Sequence, residues 1–404
     1  MDLCDQESEE AAVVDAMGTS AKTPRGTRPR NRRALIVAAA ADLFYERGYE
    51  GVNIAELADA VGVGRSALYR HFPNKQDLLG NVILERIQPL ADQLHRHHYA
   101  PLATIVADLS RYALSHRRDG VLWHREARHM TPGHRKAFQT QVDAIVQAIT
   151  RSLQPARSDL SSRACELLAW ATLAVFLSAS FHRKELPGEE FSSLLADTAL
   201  RVAEVPPFEL DPATRPDRSR LRPLSRKEAL ITTATALFAE RGYGSVSIDD
   251  IGKTVGITGP SVYNHVASKN ELLETAIRRG GAHLMLGLDA ALTDSATPSE
   301  ALHKLGRSYI DFASAHYHLV TLLISDSQHL TPSALEEAVA TQRDYLSEWT
   351  HLLSQATPRI QGTPASIRVQ SAITIVNTTA RVAHLRQSPG YRTAISAVLN
   401  QILP

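Results

Sequence analysis

The chain has 404 residues, 44% of them apolar and 22% charged, with a formal net charge of +1. Such a length predicts about two to four domains with cores of their own, and the composition is ordinary for a soluble globular protein. Near-neutrality excludes a bulk polycation, so any nucleic-acid surface must come from local clustering, and two cysteines (Cys4 and Cys165) exclude a disulfide framework and fit a reducing cytoplasm.

Residues 1–30 are polar, with little periodicity, and read as a disordered arm. The first ten lack the basic region and apolar core of a signal peptide. Lys22, Arg25, Arg28, Arg30, Arg32 and Arg33 make the arm's end basic. Such an arm either enters a minor groove and neutralises phosphates or is a solvated tail.

A helix follows in which Ile36, Ala39, Ala40, Leu43 and Phe44 form one apolar face, ending at Gly48. Asn53-Ile54-Ala55-Glu56 is a helix-start signature, with Ile54, Leu57, Ala58 and Val61 facing inward. Gly62-Val63-Gly64 makes a tight turn, a third short helix spans Arg65–His71, and Asn74 caps a fourth. Two short helices around a glycine turn make a helix-turn-helix. Its second helix offers Arg65, Ser66, Tyr69 and Arg70, with Leu68 as the buried anchor. Arginine pairs bidentately with guanine, whereas Tyr69, His71 and Lys75 suit phosphate contacts that set register.

Farther on, Leu167–Phe181 is the longest apolar stretch. It would reach only about 22 Å against the roughly 30 Å of a bilayer core, so it reads as a buried helix, with no membrane partner. Residues 205–224 hold Pro206, Pro207, Pro212, Pro216 and Pro223 among several arginines and read as a semi-extended linker. No stretch alternates with period two, so sheet content should be near nil. His95, His97 and His98 crowd together, and His124, His129 and His134 recur every five residues. That spacing does not align on one helical face, and surface or capping roles are expected rather than metal ligation.

The module occurs twice. Phe44–Tyr49 reads F-Y-E-R-G-Y and Phe238–Tyr243 reads F-A-E-R-G-Y. Residues 32–79 align with 226–273 without a gap, identical at 17 of 48 positions. Arg128–Pro132 returns as Gln328–Pro332, and His182–Gly188 as His384–Gly390, so each half is a whole copy. The second copy repeats the helix face (Leu230, Thr233, Ala234, Leu237, Phe238), the start signature at Ser247, and a third helix expected over Gly259–His265. It departs at Arg65, which becomes Gly259, and at Arg70, which becomes Asn264. Either the two modules read different half-sites or the second is a weak reader.

The run Gly62-Val63, Leu68-Tyr69, His71-Phe72, Lys75, Leu78-Leu79, repeated as Gly256-Ile257, Val262-Tyr263, His265-Val266, Lys269, Leu272-Leu273, resembles the TetR family of bacterial transcription regulators. The resemblance implies an all-α fold of two TetR-like units. Each would be a helix-turn-helix bundle (31–79 and 225–273) followed by a helical ligand and dimerisation domain (80–204 and 274–404). It also implies a regulator, expected to be a repressor, that binds double-stranded operator DNA and is released by a small effector. Carried over by position, the DNA candidates are Asn53, Arg65, Ser66, Ala67, Tyr69, Arg70, His71 and Lys75. In the second copy they are Ser247, Thr258, Gly259, Ser261, Tyr263, Asn264, His265 and Lys269.

The family's paired bundle would use Leu167–Phe181 with Glu190–Val202 and Ile367–Leu385 with Arg392–Leu403. Pairing within the chain gives a pseudo-dimer, and a homodimer of chains stays open. Aromatic side chains expected to line effector pockets are Tyr112, Trp123, Phe138, Trp170 and Phe176, then Tyr309, Phe312, Tyr317, Tyr345 and Trp349. No nucleophile elbow, P-loop, dinucleotide fingerprint or metal-ligand set occurs, so an enzyme, a metal and a cofactor are not expected. A regulator in which the second module only pairs or binds protein is the alternative.

Overall fold

The computed structural model describes residues 32–97, 100–212 and 223–404. The basic arm 1–30, Cys4, His98 and the linker residues Arg215, Pro216, Arg218, Arg220 and Arg222 lie outside them. The helices of the first copy are α1 (Arg32–Gly51), α2 (Ile54–Ala60), α3 (Arg65–His71), α4 (Lys75–Arg96), α5 (Leu102–Ser115), α6 (Asp119–Val121), α7 (Pro132–Leu153), α8 (Ser162–Ser178) and α9 (Gly188–Ala203). A π-turn (Leu122–Glu126) and a 3-10 turn (Ala127–His129) join α6 to α7. The second copy has α10 (Arg226–Arg241), α11 (Ile248–Val255), α12 (Gly259–Val262), α13 (Lys269–Thr293), α14 (Pro298–Ala315) and α15 (Tyr317–Ser325). A 3-10 turn (Ser327–His329), α16 (Pro332–Ala356), α17 (Gly362–Arg381), α18 (Ala383–Arg386) and α19 (Tyr391–Ile402) complete it. The fold is all-α, with no strand among the described residues.

Local chemistry explains the first three helices. Ile36, Ala40 and Phe44 of α1 are fully buried in a small core with Leu57, Leu68 and Leu79. The helix breaks at Gly48, whose φ of 70° is left-handed, and its equivalent Gly242 ends α10 with φ 87°. Asn53 caps α2 by accepting from Ala55 N at 2.9 Å, and Ser247 forms a full capping box with Asp250. Leu230, Phe238, Ile251 and Val262 build the equivalent second core.

One larger core joins the two copies. Helix α8 is apolar on nearly every side because it is covered on nearly every side, and α17 is its main partner across the copies. α17 buries Ser371, Thr374 and Thr379, whose hydroxyls donate to carbonyls four residues back, at 3.1, 2.7 and 2.8 Å. Ser178 meets Ser371 at 3.0 Å, and Arg368 donates to Asp197 of α9 at 2.6 Å. Helices α8, α9, α17 and α19 thus pair within one chain. The segment expected to run as one helix from Ile367 to Leu385 instead breaks at Val382, whose ψ of 96° is extended.

The start of the linker is not a free tether. Val205 and Leu210 are buried, and Asp211 N donates to Pro389 O at 3.3 Å, docking it on the turn before α19. In this bundle the apolar faces of α8 and α17 are already covered by each other within the chain. Light scattering is therefore expected to give a mass near 44.2 kDa; a mass near twice that would contradict internal pairing.

Candidate nucleic-acid interface and effector cavities

On α3, Leu68 is fully buried, which turns the opposite edge outward. Arg65, Ser66, Tyr69, Arg70 and His71 are exposed, Ala67 is partly so, and Asn53 stands exposed at the start of α2. Lys75 differs from the expectation. Its ammonium sits 4.3 Å from the Tyr49 ring centroid, and burial, only partly offset by Glu50 and Glu126, lowers its pKa.

The second copy holds two corrections. The expected third helix, Gly259–His265, is helical only over Gly259–Val262, and residues 263–265 are a turn closed by Asn264 N and His265 N donating three residues back. Gly259 is buried, not exposed: a side chain there would run into the carboxylate of Asp249, which stands where the first copy has Ala55. Ser247, Thr258, Tyr263, Asn264 and His265 are exposed and Ser261 partly so. Ser247 and Thr258 are caps, with Thr258 Oγ1 2.8 Å from Ser261 Oγ. Lys269 donates to Tyr243 O at 2.8 Å and Val246 O at 3.0 Å, so its ammonium serves the module's own backbone.

Basic residues beside each module are likewise engaged. Arg33 pairs with Glu85 and lies 5.3 Å from the Phe72 ring centroid. Lys227 binds Glu271 at 2.9 Å and Arg226 donates to Val255 O at 3.3 Å.

The repeated tyrosine and the repeated His-x-Thr-Pro motif meet in space. Tyr49 stacks on His129 with centroids 4.8 Å apart, and Tyr243 stacks on His329 at 4.9 Å. Surface roles for His129 are thereby corrected: it is 5% exposed. These stacks dock each module on its own copy, and other bonds run between the copies. Arg128 grips Asp326 with two bonds of 2.6 and 2.8 Å and donates to Phe238 O at 3.2 Å. Glu50 accepts from Gly244 N at 2.9 Å and lies 3.1 Å from His329. Glu50 and Gly244 are equivalent positions of the two copies. Their contact puts the pseudo-two-fold axis between them.

Three histidines carry a pH dependence. Burial, then Arg128, lowers His129 to about 4; burial, then Arg117, lowers His182 to about 4; burial and Arg381 hold His124 well below 6.5. An unfolded chain takes up these protons near pH 6.5, while the folded protein does so at His129 and His182 only near pH 4. Stability therefore falls as pH drops through that window, by on the order of 3 kcal/mol for His129 alone. Urea midpoints should be clearly lower at pH 5 than at pH 7.5; equal midpoints would contradict neutral burial.

Two cavities open among the middle helices. One of about 420 Å³ is lined by Trp123, Phe138 and Trp170 of the first copy, with Thr378, Arg381 and His384 of the second. The other, about 300 Å³, is lined by Tyr309, Tyr345, Met285 and Asn377, where Tyr309 Oη donates to Asn377 Oδ1 at 2.7 Å. The remaining aromatic candidates are corrected. Phe176, Phe312 and Trp349 are core, at 3%, 2% and 0% exposure. The Tyr112 hydroxyl is tied to Arg86 O at 2.5 Å, and Tyr317 lies under Arg386, 3.6 Å from its ring centroid. Sequence reasoning missed Arg381, Thr378 and Asn377 as cavity residues and set His124 aside as a surface residue. Arg381 alone carried a signal, as a basic residue ending an apolar helix.

The family description "Bacterial regulatory proteins, tetR family" matches residues 36–82 and again 230–276. The chain carries two tandem helix-turn-helix modules of the TetR family. It is 29% identical over 135 residues to the HTH-type transcriptional repressor KstR2 of Mycobacterium tuberculosis H37Rv, covering 32% of this chain and 66% of that protein, just under two thirds of its length. It is 24% identical over 281 residues to the uncharacterized HTH-type transcriptional regulator YxbF of Bacillus subtilis 168, covering 67% of this chain and 72% of that protein. Among solved structures, a tetR-family regulatory protein from Rhodococcus RHA1 aligns with a TM-score of 0.40 at 19% identity, over 43% of this chain and 98% of that one. No helix among the described residues is long and apolar enough to cross a membrane.

Proposed function

We propose that the TetR-type regulator is a one-chain repressor. Its first module reads operator DNA and its second, internally paired module supports it as a weak reader. A small effector entering the helical body releases the DNA. The observation that carries this reading is the asymmetry of the recognition segments. α3 has two turns with Arg65, Tyr69 and Arg70 outward over a buried Leu68, whereas α12 is a single turn with Gly259 closed off by Asp249. Arg65 and Arg70 supply the bidentate donors that guanine readout needs, and the second copy has neither.

Selection of bound duplexes from random DNA at low salt tests it. A selected site with one well-defined half and a degenerate second half supports the reading. Two half-sites of equal information would favour two full readers, and no enrichment would reject DNA binding.

Release is supported by how the first cavity is walled. The π-turn that carries Trp123 and His124 also carries Arg125, which donates to Phe44 O and Tyr45 O at 2.7 and 2.8 Å, and Glu126, which accepts from Tyr49 N at 3.1 Å. Arg128, a few residues on, holds the second module. Movement at one wall thereby reaches both modules.

A further inference from the structure

The two cavities differ in charge, and the difference is chemical information. In the second copy's cavity, Arg278 faces Glu337 at 3.9 Å, and the interior polar groups, Tyr309, Tyr345 and Asn377, are neutral. In the cavity shared by both copies, Arg381 has no carboxylate within salt-bridge distance among the described residues. Its Nη1 lies instead 2.5 and 2.7 Å from the ring nitrogens of His124. The nearby acids do not serve it: Glu166 is bound to His384 at 2.8 Å, and Asp143, exposed at the rim, accepts from Gln139 at 2.8 Å. Trp123 and Thr378 also line this cavity, with their polar atoms, Nε1 and Oγ1, turned away from it and buried. Arg381 is exposed at the edge of the cavity, so its guanidinium, free of any carboxylate, is open to an anion that enters there.

We infer that the cavity between the copies is an anion-selective effector site, in which Arg381 receives the carboxylate of an amphipathic acid while Trp123, Phe138 and Trp170 take its apolar or aromatic body. Guanidinium matches carboxylate in a planar, two-bonded geometry, and three aromatic walls suit an aryl or alkyl chain. His124, kept neutral by burial and Arg381, adds no competing charge to the pocket. The inference deepens the effector part of the proposed function and names the chemical class that the site accepts.

Because the walls come from both halves, such a ligand would bridge them. Arg381 ends α17, and His124 lies on the π-turn whose neighbours hold both DNA modules. Drawing the guanidinium away from His124 would act on that turn directly.

The test is ligand binding by the full chain without DNA, so that it does not depend on operator recognition. The probes are decanoate and 2-naphthoate, with decanol and 2-naphthamide as uncharged counterparts and naphthalene-2-sulfonate as an anion of different geometry. Calorimetry or thermal shift should show the carboxylates binding at least tenfold more tightly than their neutral partners, with the sulfonate weaker than the carboxylate. Arg381→Gln should remove at least tenfold of the carboxylate affinity and leave the neutral probes unchanged, while Arg278→Gln at the other cavity should change nothing. Val142→Trp, which adds bulk at another residue lining the same cavity, should block all the probes even if Arg381→Gln lowers the melting temperature. Carboxylates no better than neutral probes at millimolar concentration, or full carboxylate affinity in either Arg381→Gln or Val142→Trp, would overturn the inference. A sulfonate equal to the carboxylate would overturn the carboxylate assignment. Gel shifts on the same preparations keep this separate from the DNA reading: loss of one result leaves the other standing.

Discussion

Replacing Arg128 with alanine is expected to destabilise the protein by about 3–5 kcal/mol, the usual cost of stranding one member of a buried ion pair. Asp326 is 0% exposed and Arg128 only 10% exposed. Without the guanidinium, the carboxylate keeps, among the described residues, a long bond from Tyr243 N at 3.4 Å. The pair also joins the copies, since Arg128 belongs to the first half and Asp326 and Phe238 to the second. Guanidinium denaturation of Arg128→Ala against the parent measures the cost. The double variant Arg128→Met/Asp326→Leu should regain most of it, because replacing both charges by apolar groups of similar volume removes the stranded charge. A loss below about 1 kcal/mol, the level of an exposed pair, would mean that the contact is not the buried clamp described above.

The second large effect concerns DNA. Arg65→Ala should weaken binding to a selected duplex by roughly 10- to 100-fold, the range of one good bidentate base contact. Asn264→Ala in the second copy should change affinity by less than about threefold, and DNase footprints should shrink only on the side of the first module. The converse experiment is sharper. Gly259→Arg alone must displace the Asp249 carboxylate and leaves an acid beside the new arginine, but Asp249→Ala/Gly259→Arg recreates the first copy's Ala55 and Arg65 pairing. That double variant should bind more tightly than the parent and extend the footprint. Equal weakening by Arg65→Ala and Asn264→Ala would instead show two readers of comparable strength.

Much of the local architecture was legible because its causes are local. The apolar faces of α1 and α10, the caps at Asn53, Ser247 and Asn74, and the glycine breaks at Gly48 and Gly242 follow from spacing and backbone preference. So did the orientation of α3, which needs only Leu68 inside to turn Arg65 outward. The shortening of α12 was less legible, because residues 263–265 keep the same residue types at Tyr263 and His265 as the first copy and yet close into a turn. The cavities were only half legible. Choosing aromatic residues by type caught Trp123, Phe138, Trp170, Tyr309 and Tyr345, but it also caught Trp349 and Phe312, which the same apolar preference drives into the core. Arg381 and His124 are 257 positions apart and meet only because the copies fold against each other. Nothing in either neighbourhood signals that meeting. The histidines spaced by five misled for a related reason: spacing along one segment says nothing about the Tyr49 ring that covers His129.

Duplication within one chain also frees the halves to diverge. A homodimer of identical subunits must present the same recognition helix and the same cavity twice. Here one half keeps the arginines and the other replaces them, and one cavity carries an unpaired cation while the other does not.

The most direct measurement is the mass of the protein–DNA complex, by sedimentation, on a duplex selected from random sequence. One 44.2 kDa chain per duplex at saturation is expected, with both modules supplied by the same molecule. Two chains per duplex, or no complex on any sequence at low salt, would contradict a covalently paired DNA reader.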